Sequence, residues 1–263
     1  MGKVWLVGAG PGAADLLTLR AARVIESADI VFHDALVQPD VLALASRARL
    51  VDVGKRDGRH STEQRFINRA IVEAARTHPV VVRLKGGDPM IFGRAQEELD
   101  ALAAAGIEAE VVPGITSALA ASASLGISLT RRGTARHVAF VTPRTGAGED
   151  ASDWLASAAS ADTVALYMAS RQAPAIAASL LEAGRSPSTP ACMVENASLA
   201  TERIVATTLG ALAVQSPFAL EGPAILLVGE VFREASASHP DLAWTPAAQS
   251  GSIGPGRRLV AGR

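Results

Sequence analysis

Val4-Trp5-Leu6-Val7-Gly8-Ala9-Gly10-Pro11-Gly12-Ala13 opens the chain with a short apolar run and a glycine-rich turn. The run Val4–Val7 reads as a strand, and a helix is expected after Ala13. Working outward, the same signal returns at Ile30–His33, Leu50–Val53, Val80–Lys85 and Ala109–Val112. Amphipathic stretches lie between these runs. One is Arg94–Ala105; another is opened by Ser61-Thr62-Glu63-Gln64, where Ser61 and Gln64 have the capping-box spacing. Short apolar runs alternating with amphipathic ones predict an α/β fold, with a mostly parallel sheet covered by helices.

The character changes after Pro113-Gly114. His137–Val141, Thr163–Met168, Ala191–Val194, Arg203–Ala206 and Ala224–Val228 are the next expected strands, and the third and fourth of these are joined by a short loop rather than a helix. That predicts a mixed sheet in a second domain. The expected division is an N-terminal α/β domain over residues 1–114, a C-terminal α/β domain over 115–233, and a disordered tail over 234–263, rich in Ser, Ala, Pro and Gly.

Composition narrows the function. The 263 residues are 49% hydrophobic and carry a formal net charge of -1, so no global basic field attracts nucleic acid. Aromatic residues make up 4%, which also weakens any reading built on base stacking. Cys192 is the one cysteine, excluding an intramolecular disulfide and a thiolate metal cluster. His33, His60, His78, His137 and His239 are scattered, without metal-site spacing. With no leader-like or membrane-spanning run, a cytoplasmic protein without membrane or nucleic-acid partners is expected.

Gly8-Ala9-Gly10-Pro11-Gly12-Ala13 formally satisfies the dinucleotide-binding pattern G-x-G-x-x-G/A, and Asp34 ends the next strand where a ribose-binding acid would sit. A nicotinamide-dependent dehydrogenase is therefore one reading. Pro11 speaks against it, because a pyrophosphate at such a turn is held by backbone N–H groups and proline has none. A turn needing glycine for its geometry alone is a further reading.

Several segments taken in order resemble the tetrapyrrole methylases, a family that uses S-adenosylmethionine. They are Val7–Gly12 with Leu16-Leu17-Thr18; Ala28–Val31 leading to Asp34; Val53-Gly54-Lys55-Arg56 with Gly58 and His60; and Val82–Pro89 with Ile91–Arg94. Val111–Ser117, Leu129–Gly133 and Val194-Glu195-Asn196 follow, so the likeness covers roughly residues 3 to 230. The Lys85–Arg94 block and the Lys55 segment are the specific parts; the glycine turn alone is weak.

The resemblance implies two α/β domains, an active site in the cleft between them, and a homodimer. It implies transfer of two methyl groups from S-adenosylmethionine to ring carbons of uroporphyrinogen-III, giving precorrin-2 and S-adenosylhomocysteine, without a metal. Some relatives fuse a dehydrogenase-chelatase module, for which this chain has no room, so methyl transfer alone is expected. The family positions for proton acceptor and proton donor fall on Asp34 and Lys55. Those for the methyl donor fall on Pro11, Gly86, Gly87, Asp88, Ile91, Thr116, Ser117, Met168, Ala197 and Ala224. Taken by themselves, Asp88 reads equally as the stabiliser of a tight turn, Thr116 and Ser117 as helix caps, and Met168 as a core residue.

The substrate that the resemblance implies is a polycarboxylate, so cationic side chains are expected in the cleft. Arg94 is the strongest expectation, with Arg131, Arg132 and His60 beside it, and Lys55, Arg56 and Arg59 in the same motif segments. Arginine's planar fork can hold a carboxylate through two hydrogen bonds. Two departures from the family stand out. Thr142-Pro143-Arg144 replaces the usual Gly-His, and Ala197-Ser198 the usual Gly-Thr. The second adds a methyl near the expected donor pocket, neutral if the backbone there has negative φ. A sister methylase acting on a later corrin precursor remains the nearest alternative.

Overall fold

The protein, seen in a computed structural model, is described here for residues 2–54, 64–144, 153–215 and 219–235. Five strands form the first sheet: β1 (Lys3–Gly8), β2 (Ile30–His33), β3 (Arg49–Asp52), β4 (Val80–Lys85) and β5 (Ala109–Val112). Their order is β3-β2-β4-β1-β5 and every neighbouring pair is parallel. Helices α1 (Leu19–Glu26), α2 (Pro39–Leu42), α3 (Gln64–Ala75) and α4 (Ala95–Ala104) connect them, and α5 (Ser117–Leu125) follows β5.

Alternation along the strands divides the core between the sheet's two faces. Val7, Val31, Val82 and Leu84 pack with Val24, Ile25 and Val41 of α1 and α2. Val4, Leu6, Ile30 and Val81 pack on the opposite face with Ile67, Ile71 and Leu102 of α3 and α4. The buried positions Ile67, Ile71, Ala74 and Ala75 recur at helical spacing on α3. Fully burying one such isoleucine contributes about 1.5–3 kcal/mol.

The second sheet contains β6 (Val138–Val141), β7 (Thr163–Leu166), β8 (Pro190–Glu195), β9 (Arg203–Thr208) and β10 (Ala224–Gly229), in the order β6-β7-β10-β8-β9. Only the β6–β7 pair is parallel, so the sheet is mixed, as the short β8–β9 connection led one to expect. Helices α6 (Trp154–Ser160), α7 (Ala173–Glu182) and α8 (Leu209–Ala213) cover one face, and α5 packs on the other.

The structure departs from the sequence expectations in three places. No α-helix starts at Ala13: a 3-10 turn spans Ala14–Leu16, and α1 begins at Leu19, capped by Thr18, whose Oγ1 accepts from the Ala21 N–H. Met168 lies beyond β7 rather than ending it. Ala235 packs into the second core, so the ordered chain passes the expected start of the tail. Ser61 and the rest of the expected tail, 236–263, lie outside the described residues.

Within the first sheet, the turns after β1, β4 and β5 touch backbone to backbone. Gly10 and Gly87 exchange hydrogen bonds, Gly87 N to Gly10 O at 2.7 Å and Gly10 N to Gly87 O at 3.2 Å. A Cβ on Gly114 would sit 2.3 Å from the Gly87 carbonyl oxygen and 2.9 Å from the Gly8 Cα. No side chain fits there, and the obstacle is backbone that cannot rotate away. Gly114→Ala is therefore expected to lower stability by about 3 kcal/mol, at the upper end for overpacking. A urea unfolding midpoint shifted by less than about 1 kcal/mol equivalent would contradict this tight seal.

Candidate functional site

In the order β3-β2-β4-β1-β5, the connections leaving β1 and β4 run to opposite sides of the sheet, which makes their carboxyl ends a topological switch point, the usual ligand site of open α/β sheets. A cavity of about 380 Å³ opens there, against the ends of the inner strands of the second sheet. Its walls follow all five strands of the first sheet. Pro11 comes after β1, Asp34 and Leu36 after β2, Val53 and Gly54 after β3, Gly86 to Asp88 and Ile91 to Arg94 after β4, and Thr116 and Ser117 after β5. The second sheet adds Tyr167 and Met168 beyond β7, Ala197 and Leu199 beyond β8, and Ala224 and Ile225 on β10.

All ten positions expected at the methyl donor, namely Pro11, Gly86, Gly87, Asp88, Ile91, Thr116, Ser117, Met168, Ala197 and Ala224, line this one cavity, together with Asp34 and Arg94. Arg131 and Arg132 do not line it. Both are exposed, and Arg131 pairs with Glu234 at 3.4 Å. Lys55, Arg56, Arg59 and His60 lie outside the described residues.

The turn after β4 is built by Asp88. Its Oδ1 accepts from the Met90 N–H at 2.8 Å and its Oδ2 from the Gly114 N–H at 2.9 Å, stitching the β4 turn to the β5 turn. The turn-stabilising role is thus present, and Asp88 also lines the cavity. Thr116 sits at the N-cap of α5 without capping it. Its Oγ1 instead hydrogen-bonds the Tyr167 hydroxyl at 2.7 Å. Tyr167 in turn lies between Phe92 and Phe140, with ring centroids 5.0 and 5.8 Å away. Burial raises its phenol above the ordinary value. Sequence reasoning missed Tyr167; its one signal was being the chain's single tyrosine, next to Met168.

Charge is concentrated on the cavity floor. Arg83 and Lys85 point to the same face of β4, and both are 4% exposed. Between them lies Glu98 of α4, 1% exposed, accepting from Arg83 Nε at 3.0 Å, from Lys85 Nζ at 3.0 and 3.1 Å, and from Gln64 Nε2 at 3.0 Å. Burial, and then the neighbouring Arg83, hold the Lys85 ammonium below the usual lysine value, with Glu98 opposing. The register His33↔Leu84 sets Asp34 level with Lys85, where Asp34 Oδ2 lies 3.8 Å from Arg83 Nη2.

Backbone strain gathers here as well. Among the described residues, the non-glycine positions with positive φ are Phe92, Arg94, Met168, Asn196 and Ser198. The first three line the cavity, and the other two flank Ala197. Left-handed backbone at non-glycine residues costs of order 1–3 kcal/mol each and clusters at functional sites. Ala197 itself is not among them, so its methyl group sits on backbone that an L-residue adopts without strain, whereas Ser198 after it has a φ of 74°. Glu195 holds the facing loop by accepting from the Glu221 and Gly222 N–H groups at 2.6 and 2.7 Å, which seats Pro223 and Ala224 on the cavity. Arg94 forks onto Glu97 at the rim, at 2.6 and 2.7 Å.

This geometry removes the dinucleotide reading. The Gly10 N–H bonds to Gly87, Pro11 has no donor, and the α1 N-terminus lies beyond Thr18 rather than at the glycine turn. Among the described residues, no group of three or more His, Cys, Asp or Glu side chains could hold a metal ion. The Cys192 thiol is buried, and burial alone pushes it to about 12, far from a reactive thiolate.

The fold agrees with that of solved relatives. Residues 3–213 match the pattern of the tetrapyrrole (corrin/porphyrin) methylases, and the chain belongs to that family. Within it, the chain is 49% identical over 236 residues to the uroporphyrinogen-III C-methyltransferase of Pseudomonas aeruginosa, covering 89% of this chain and 95% of that protein. It is 44% identical to a siroheme synthase of Psychrobacter over 93% of this chain, yet spans only 50% of that longer protein. Among solved structures, the uroporphyrin-III C-methyl transferase of Thermus thermophilus complexed with S-adenosylhomocysteine matches with a TM-score of 0.77 and 42% identity, covering 88% of this chain and 99% of that one.

The double duty of Asp88 is testable without any ligand. Asp88→Asn replaces one accepting oxygen by an NH₂ group that faces a backbone donor. The expected loss is about 1.5–3 kcal/mol, the range for a hydrogen bond to a charged group. Thermal unfolding of the ligand-free protein reads it; an unchanged melting temperature would leave Asp88 without its structural role.

Proposed function

We propose that the chain transfers two methyl groups from S-adenosylmethionine to ring carbons of uroporphyrinogen-III, giving precorrin-2 by way of precorrin-1, with S-adenosylhomocysteine as the second product. The observation that carries this reading is the convergence of residues 11, 86 to 88, 91, 116 to 117, 168, 197 and 224, from both sheets, on one cavity. Family membership and the similarity to uroporphyrinogen-III C-methyltransferases support it. The siroheme synthases match over half their length, so only the methyl-transfer half of such proteins is proposed here.

The cavity fits a nucleoside sulfonium. A Cβ at Gly87 would meet nothing closer than the Thr116 Cα at 3.9 Å, which leaves the backbone open to a ligand's close approach. Ile91, Ala197, Ala224 and Ile225 supply apolar walls, while Asp88, Thr116 and Ser117 supply polar atoms. When bound, S-adenosylmethionine supplies an electrophilic methyl carbon, and the pyrrole carbon is already an electron-rich nucleophile. The residues therefore act chiefly by alignment. Asp34, at the carboxyl end of β2, takes the proton that the ring system sheds as the new carbon–carbon bond forms. Lys55 is the proton donor by its motif position, and Arg94 holds a substrate carboxylate at the rim. His60 joins the substrate side on the same motif grounds.

The boundary near residue 114 is part of this reading, supported by the separate sheets and cores on either side of α5. A homodimer is also proposed, on family likeness, and light scattering in solution tests it. A cytoplasmic location completes the reading. Among the described residues, no helix is long and apolar enough to cross a membrane.

Incubation with S-adenosylmethionine and uroporphyrinogen-III under anaerobic conditions is expected to give a dimethylated product; a singly methylated end product would remove the second transfer. S-adenosylhomocysteine at about 100 times its Kd should add about 2.7 kcal/mol of stability and raise the melting temperature, whereas NAD should not. Asp34→Asn should lower kcat by about 10²-fold or more, the scale of a lost general base. S-adenosylhomocysteine affinity should hold in that variant, and an equal loss in both would move Asp34 into the donor site.

A further inference from the structure

Arg83 is buried, ionic and outside the chemistry assigned above. Each of its nitrogens has a stated direction. Nε donates to Glu98 Oε1 at 3.0 Å; Nη1 donates to the Leu84 carbonyl at 3.0 Å and the Phe32 carbonyl at 3.4 Å. Nη2 faces Asp34 Oδ2 at 3.8 Å. Glu98 is itself immobilised by Lys85 and Gln64, so the guanidinium cannot turn without breaking several buried bonds. We propose that Arg83, locked by Glu98, is the positioning residue that orients the Asp34 carboxylate toward the reacting ring carbon. The proposal rests on the reading of Asp34 as proton acceptor.

The distances favour steering over capture. A short bidentate fork would occupy both carboxylate oxygens and take Asp34 out of action. Here Arg83 stands 3.8 Å from Oδ2, and the Gly86 N–H reaches Oδ1 at 3.4 Å, so both contacts are loose. The carboxylate is held from the sheet side, and Asp34 still lines the cavity. Two further titratable groups lie nearby among the described residues. Lys85 spends its ammonium on both oxygens of Glu98. His33 reaches the Asp34 main-chain carbonyl through Nδ1 at 3.3 Å, not its carboxylate. Among the described residues of the floor, the anions Asp34 and Glu98 stand against the cations Arg83 and Lys85.

A double-mutant cycle tests this. Single-turnover rates and S-adenosylhomocysteine affinity by calorimetry would be measured for Arg83→Gln, Asp34→Asn and the double variant. Arg83→Gln alone is expected to slow turnover by about 10- to 100-fold, the scale of a misaligned reacting group. Its affinity for S-adenosylhomocysteine should stay within about twofold, and in the Asp34→Asn background the same change should cost no more than about twofold. Arg83→Lys, which keeps a cation against Glu98, should recover part of the loss, and it carries the same cycle should the glutamine variant not fold. Equal losses in both backgrounds, or a matching loss of affinity, overturn the proposal and leave Arg83 a structural residue. Turnover of Asp34→Asn at the unmodified rate would instead overturn the proton-acceptor reading, and this proposal with it.

Discussion

Three strand-end turns of the first sheet lie closer together than any side chain permits, and much of the site follows from that contact. Gly8, Gly87 and Gly114 meet through backbone atoms, and Gly10 pairs with Gly87 as a one-rung ladder. Because the backbone N–H and C=O groups at this point satisfy each other, they are not on offer to a pyrophosphate. The turn that looks like a dinucleotide fingerprint is thus closed by its own fold. Beside the exposed side of Gly87, a next tier outward, Pro11, Asp34, Asp88 and Thr116, lines the same cavity.

That tier is held at a cost in stability. A buried ion cluster gains little net stability over apolar residues of similar size, since desolvation offsets most of the attraction, while removing one partner costs about 3–5 kcal/mol. Arg83, Lys85 and Glu98 occupy the face of β4 that carries Val81 nearer its start, where the strand pattern alone would place more apolar residues. The left-handed backbone at Phe92, Arg94 and Met168 is a second expense in the same place. A fold optimised for stability alone would keep neither. Their concentration around one cavity marks it as the part of the molecule shaped by chemistry.

Much of the fold was legible because it depends on local pattern. Each apolar run from Val4–Val7 to Ala224–Val228 became a strand, and the short connection after Ala191–Val194 correctly announced antiparallel pairing. The misses are non-local or conformational. Nothing in the spacing of Arg83 and Glu98 says that they meet, since the contact depends on α4 folding back over β4. Tyr167 matters through Thr116 and Phe92, residues distant in sequence, and the left-handed backbone of the expected Arg94, a φ of 56°, is announced by no residue type. Arg131 and Arg132 sat in a matching segment, yet neither lines the cavity, because a motif match records order along the chain and not position in space.

Exposure separates the arginines into different tasks. The pair between Arg94 and Glu97 lies at the rim, with both side chains about half exposed. Such a pair contributes about 0–1 kcal/mol. Exchanging Glu97 for a carboxylate arm of the substrate replaces one anion by another, so little electrostatic energy opposes it, and the fork geometry is retained. Arg83, by contrast, would strand a buried charge if it let go of Glu98. In the proposed reaction the rim arginine can therefore trade partners at each turnover while the floor arginine keeps its own. A chain of net charge -1 needs no general basic surface to receive a polycarboxylate, provided its exposed cations are paired weakly enough to be released.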